Sequence, residues 1–95
     1  MNNNAIAIPP AIWEQDQDIW SAWVAQSNAS MKTIAQYKRI ITEFYYAMER
    51  PILECTEADL SFYERADGLF LAKSTVAQRA SVIRRYWTFA KLTQP

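Results

Sequence analysis

Apolar positions along the chain recur at helical spacing in four separate stretches, and none alternates with the two-residue period of a strand. The clearest stretch follows Ser30, where Ile34, Tyr37, Ile41, Phe44 and Met48 stand at alternating steps of three and four. That is one amphipathic stripe over about four turns. Ser30 suits the N-cap, because its hydroxyl can accept from a free backbone N–H. Pro51 ends the stretch, since the residue before a proline is pushed out of the helical region. Upstream, Glu14 to Gln26 forms a shorter stretch with Trp20, Trp23 and Val24 on one face and Ile19 at its edge. Its acidic start suits the positive end of a helix dipole.

Two further stretches follow. Thr56 with Asp59 three residues on reads as a capping box in which Asp replaces Glu, and Leu60 and Tyr63 supply the apolar face. Gly68, the single glycine, falls just after Asp67, where a left-handed C-terminal residue is wanted. The last helix is expected to open at Ser74 and run to about Lys91, with Val76, Ala80, Ile83, Trp87 and Ala90 buried. Ser74, Gln78, Ser81, Arg85 and Thr88 lie on its other side. The expectation is an all-α chain folded as a compact four-helix bundle, with Trp20, Trp23, Tyr37, Phe44 and Trp87 inside.

Composition supports a single packed domain. Of 95 residues, 51% are hydrophobic, enough to build one core but not two. The one cysteine, Cys55, cannot form an internal disulfide. It fits a reducing, cytoplasmic setting. No apolar run approaches the ~20 residues of a membrane span, and the first ten residues lack the basic start of a secretory signal.

Charge adds more than its total suggests. Ten basic and ten acidic residues cancel, which is unpromising for a nucleic-acid binder. Yet residues 1–31 carry Glu14, Asp16 and Asp18 with no base, whereas residues 69–95 carry Lys73, Arg79, Arg84, Arg85 and Lys91 with no acid. Between them, residues 32–50 are net basic through Lys32, Lys38, Arg39 and Arg50. Residues 51–68 are net acidic through Glu54, Glu57, Asp59, Glu64 and Asp67. Basic residues thus gather on the second and fourth helices and acidic ones on the first and third. Lys32, Gln36 and Arg39 lie opposite the apolar stripe of the second helix, and Gln78 and Arg85 opposite that of the fourth. Ordinary solvated helix faces would also produce basic residues there, but two basic helices alternating with two acidic ones are less common.

Chemistry is scarce. The chain has no histidine, the commonest general base and metal ligand, and Cys55 therefore has none to activate it. One glycine cannot make a phosphate-cradling loop. The carboxylates sit where helix starts explain them. No cofactor, metal or small-molecule ligand is expected, and the chain is not expected to be an enzyme alone.

The second and fourth helices carry a resemblance. Ser30-Met31-Lys32-Thr33-Ile34-Ala35-Gln36-Tyr37, with Ile41 and Phe44, resembles a helix in the core-binding domain of tyrosine recombinases, the phage integrase family. Ser74-Thr75-Val76, then Ser81, Ile83-Arg84, Tyr86-Trp87 and Phe89-Ala90, resemble that family's last core-binding helix. Thr56-Glu57-Ala58-Asp59-Leu60 with Tyr63 is similar to its short third helix. Order and spacing agree over about residues 14–92. Two positions depart: Ala80 replaces a bulky aliphatic, and Gln78 stands where many relatives are basic.

The resemblance implies a SAM-like four-helix domain that forms half of a clamp around duplex DNA during integration or recombination. Residues 1–13 would be a flexible arm, 14–92 the domain, and 93–95 the start of a linker to a catalytic domain outside this sequence. The domain alone would be monomeric and its parent oligomeric on DNA. Carried over by position, Thr33, Gln36, Ser74, Thr75 and Gln78 approach DNA. Charge and helix geometry add Lys32, Arg39, Lys73, Arg79 and Arg85. Arg79 lies near the apolar arc, where its stem can cover core, and Arg84 at the stripe's edge reads as structural as readily as DNA-contacting. The rival is a helical protein–protein module whose acidic and basic helices are complementary surfaces. A helix-turn-helix regulator fits less well, since its three- or four-residue turn is shorter than the connectors here, roughly six residues.

Overall fold

Residues 14–93 are described by a computed structural model. The expected arm and the last two residues lie outside them. A 3-10 turn at Glu14–Asp16 leads into α1 (Gln17–Ser27), followed by α2 (Met31–Met48), a second 3-10 turn at Ile52–Glu54, α3 (Glu57–Asp67) and α4 (Lys73–Thr93). The described residues contain four α-helices and no strand. None of these helices is long and apolar enough to cross a membrane.

Local signals fix most ends. Ser30 caps α2, its hydroxyl oxygen accepting from the Thr33 backbone N–H at 3.2 Å. The Thr56 hydroxyl accepts from the Asp59 N–H at 3.2 Å, and the Asp59 carboxylate accepts from the Thr56 N–H at 2.8 Å, a complete capping box. That backbone N–H, aided by Arg50, holds the Asp59 carboxyl below the ordinary carboxylate range. Two ends differ from expectation. Gly68 is right-handed at φ −63°, and the left-handed caps are Asn28 and Glu49, at φ 56° and 54°. Gly68 can stay right-handed because the chain keeps turning after α3, with Leu69 N–H donating to Ala66 and Phe70 N–H to Asp67. The other end is that of α4, which starts one residue early. Ala72 O accepts from Val76 N–H at 3.0 Å, so Ser74 sits within the first turn and does not cap it.

α4 is the organising element, packed against α1, α2, α3 and the second 3-10 turn. Its Arg85 meets Tyr37 of α2 and its Arg79 meets Glu43, so the numbering rises along one helix as it falls along the other. α2 and α4 therefore run antiparallel. The core between the helices is largely aromatic: Trp20, Phe44, Tyr45 and Tyr86 are fully buried, with Ile41, Ile52 and Cys55 beside them. Trp23 packs edge-on to Tyr86 at 5.1 Å between centroids, and Phe44 meets Tyr63 at 5.2 Å and 90°. Such edge-to-face pairs contribute about 0.5–1.5 kcal/mol each beyond area burial.

The buried arc of α4 is rotated from the expected one. Val82, Ile83, Tyr86 and Ala90 are buried, whereas Val76, Ala80 and Trp87 are only partly so. Trp87 is half-buried, and its indole N–H donates to Cys55 O at 2.9 Å. Tyr37 is likewise half-buried rather than inside.

Candidate nucleic-acid interface

Ion pairs within the fold sort the basic residues. Arg84 pairs with Glu57 at 2.6 Å and Arg50 with Asp59 at 3.0 Å, both tying down α3. Arg79 is held most firmly. Its guanidinium donates to Glu43 at 2.7 Å, Asp67 at 2.8 Å and the Tyr63 hydroxyl at 2.9 Å, and its side chain is 14% exposed. Burial works against the charge, but the hydrogen bonds to Asp67 and Glu43 outweigh it and raise the pKa. Arg79 thus pins α2, α3 and α4 together and has little left for an outside anion. The sequence places Arg79 among the DNA contacts; in the fold its guanidinium is engaged by Glu43, Asp67 and Tyr63.

Lys32, Arg39, Lys73 and Arg85 are exposed. Among the described residues, none of the four pairs with an acidic side chain. These are four of the five basic residues that charge and helix geometry single out in the sequence. Lys91 is occupied differently, donating to Leu53 O at 3.1 Å and lying over the Trp87 ring.

Position within the fold brings two rows together. Lys32, Gln36, Arg39 and Glu43 form one row along α2 at steps of four, three and four. Its last member reaches across to Arg79 of α4. Ser74, Gln78, Ser81 and Arg85 form a row along α4 with the same steps, and Arg85 reaches back to Tyr37 of α2. Both rows therefore border the same α2–α4 seam. Because the helices are antiparallel, their starts lie toward opposite ends of it. Lys32 and Thr33 stand toward one end, Lys73, Ser74 and Thr75 toward the other, and Arg85 between. Lys32, Ala35, Gln36 and Arg39 line a shallow open groove on the α2 side.

Individual side chains differ in readiness. Ser74, Thr75 and Gln78 are exposed, and Gln36 is half-buried. Thr33 is partly engaged, since its hydroxyl accepts from the Ser30 hydroxyl at 3.1 Å as part of the cap. Arg85 stacks over the Tyr37 ring at 5.4 Å and directs Nη1 toward the Tyr37 hydroxyl at 3.4 Å. Sequence spacing could not show that aromatic support, because the pair is 48 residues apart.

No grouping of acidic or cysteine side chains among the described residues could hold a metal ion. Cys55 is buried, and desolvation followed by the nearby Asp59 charge pushes its thiol up to about 11. A thiol that stays protonated at neutral pH is a poor nucleophile. The seam offers cations, amides and hydroxyls to an extended anionic partner; it presents no assembled acid–base pair. Comparison of the chain with family models, with curated proteins and with solved structures returned no match.

Proposed function

We propose that this chain is a DNA-binding module that lays the α2–α4 seam along duplex DNA, in the manner of a tyrosine recombinase core-binding domain. The observation that carries the reading is the sorting of cations. Arg50, Arg79 and Arg84, which pair with acids, hold the fold together. Lys32, Arg39 and Arg85 lie on the two polar rows and Lys73 at the start of α4, none with an acidic partner among the described residues. Arg65 on α3 and Lys91 also lack one but lie off the rows. This resolves the objection of zero net charge, because phosphate contacts draw on local charge rather than the total. Lys32, Arg39, Lys73 and Arg85 supply charge, and Gln36, Gln78, Ser74, Thr75 and Thr33 supply hydrogen bonds. Within a recombinase this module would form one half of a clamp and leave bond breakage to another domain.

Titration of a labelled duplex at several salt concentrations tests the reading. With about four phosphates neutralised, log K should fall against log salt with a slope of about −3 to −4. No binding at low salt, or binding without salt dependence, would overturn it.

One observation favours a second reading, a protein–protein module. Phe62, Leu69 and Phe70, on and just after α3, are 61%, 78% and 85% exposed, and a cluster of large apolar side chains suits a protein partner. The two surfaces are distinct, and the same titration separates the readings.

A further inference from the structure

Among the four cations at the seam, Arg85 alone is built onto a platform. Its guanidinium carbon lies 5.4 Å from the Tyr37 ring centroid. The Tyr37 ring in turn packs against Trp23, with centroids 5.1 Å apart and planes tilted by 31°. Trp23 is buried and packs at 5.1 Å against the fully buried Tyr86. A continuous aromatic series therefore runs from the middle of the core to the surface charge. Each ring fixes the next, and the last fixes the arginine.

The consequence concerns entropy. A free arginine side chain must lose most of its rotamer freedom when it engages a phosphate. A guanidinium already held by a ring loses less. The ring contact and the Nη1 approach to the Tyr37 hydroxyl leave the other guanidinium N–H groups for an outside acceptor, and a guanidinium edge can meet phosphate bidentately. We infer that Tyr37 is a positioning residue that presents Arg85 as a preset fork to a backbone phosphate at the α2–α4 seam. This rests on the DNA-binding reading and goes beyond it by naming the ligand group and the device that orders its partner.

Ring, charge and shape can be separated by substitution. Arg85→Ala removes charge and fork, so affinity for a duplex should fall and the salt slope should flatten by about one unit. Arg85→Lys keeps the charge but cannot stack as a plane. It should keep the slope and lose about three- to tenfold in affinity, matching the modest strength of a cation–ring contact. Tyr37→Leu should show the same split, full slope with reduced affinity, whereas Tyr37→Phe should bind like the parent. In the Arg85→Ala background Tyr37→Leu should have no further effect on binding. Denaturant midpoints on each variant keep loss of fold apart from loss of contact, and Arg85→Lys, at an exposed position, carries the test should Tyr37→Leu unfold.

The inference is overturned if Arg85→Lys binds as tightly as the parent, or if Tyr37→Leu weakens binding equally with and without Arg85. Should Arg85→Ala bind like the parent with an unchanged slope, the inference falls while DNA binding stands. Absence of salt-dependent binding in the parent chain overturns both.

Discussion

The Tyr45 hydroxyl donates a hydrogen bond of 2.6 Å to the Asp16 carboxylate, across 29 residues and inside the core. Asp16, 1% exposed, also accepts from the Ile52 backbone N–H at 2.8 Å. The Tyr86 hydroxyl lies 2.9 Å from that of Tyr45 and donates to it, because the Tyr45 proton is already committed to Asp16. One carboxylate thus joins the turn before α1, the end of α2, the turn before α3 and the middle of α4. A buried carboxylate is tolerated when it is hydrogen-bonded, and here two donors, the Tyr45 hydroxyl and the Ile52 N–H, converge on one of its oxygens.

Removing that carboxylate should therefore loosen the whole bundle. Asp16→Ala leaves the Tyr45 hydroxyl and the Ile52 N–H buried without an acceptor, at a cost of about 2–4 kcal/mol. Tyr45→Phe removes one bond to a charged group and should cost less, about 1.5–3 kcal/mol. Urea midpoints on the two variants check the order, and an Asp16→Ala midpoint near that of the parent would remove the network from the account of stability.

The same network sets an alkaline limit. Burial raises the pKa of Tyr45 well above its ordinary 10.0, reinforced by Tyr86 and Asp16, and burial likewise raises that of Tyr86. Protons are therefore held more tightly in the folded chain than in the unfolded one. The contribution is fully present below about pH 10, the ordinary tyrosine value, and is lost as pH rises beyond it. Cys55 acts in the same direction between its ordinary 9.0 and about 11. Chemical denaturation at stepped pH should give stability that declines from about pH 9 upward. In the folded chain Cys55 should resist thiol reagents at pH 8. Rapid labelling at that pH, or stability that holds flat to pH 11, would contradict this picture.

Arg79 belongs to the fold, so its loss should be felt as stability. Arg79→Ala leaves Asp67, Glu43 and Tyr63 without their shared donor and should cost about 1–3 kcal/mol, less than a fully buried ion pair because Glu43 remains half-exposed. Folded at low temperature, the variant should bind duplex DNA with the parent's salt slope. A slope flattened by about one unit would return Arg79 to the binding surface.

Signals confined to a few neighbouring residues were readable in the sequence. The Ser30 cap, the Thr56–Asp59 box and the four helices depend on contacts three or four residues apart, and the structure has all of them. Features that depend on distant partners were not. Asp16 looks like one more acid at a helix start; only the approach of Tyr45 and Ile52 makes it the buried centre of a network. The buried arc of α2 extends to Ile40 and Tyr45, and that of α4 centres on Tyr86, because each is packed on more than one side and hides a wider face than a single stripe. At the interface, helix periodicity placed Lys32, Gln36, Arg39, Gln78 and Arg85 on outward rows. It could not show that both rows border one seam, that Arg79 is committed to Glu43 and Asp67, or that Tyr37 supports Arg85.

The proposed sorting of basic residues into those that hold the fold and those that would meet DNA is tested most directly by salt slopes on two matched variants. One removes two cations that lack acidic partners, Lys32→Ala with Arg39→Ala; the other removes Arg84, which is paired with Glu57. Both change exposed or half-exposed positions, so both should stay folded. The first should bind duplex DNA more weakly and flatten the log K against log salt slope by about two units. The second should keep the parent's slope and lie within about twofold of its affinity. Equal effects of the two variants, or a full slope without Lys32 and Arg39, would contradict the assignment of the α2–α4 seam to DNA.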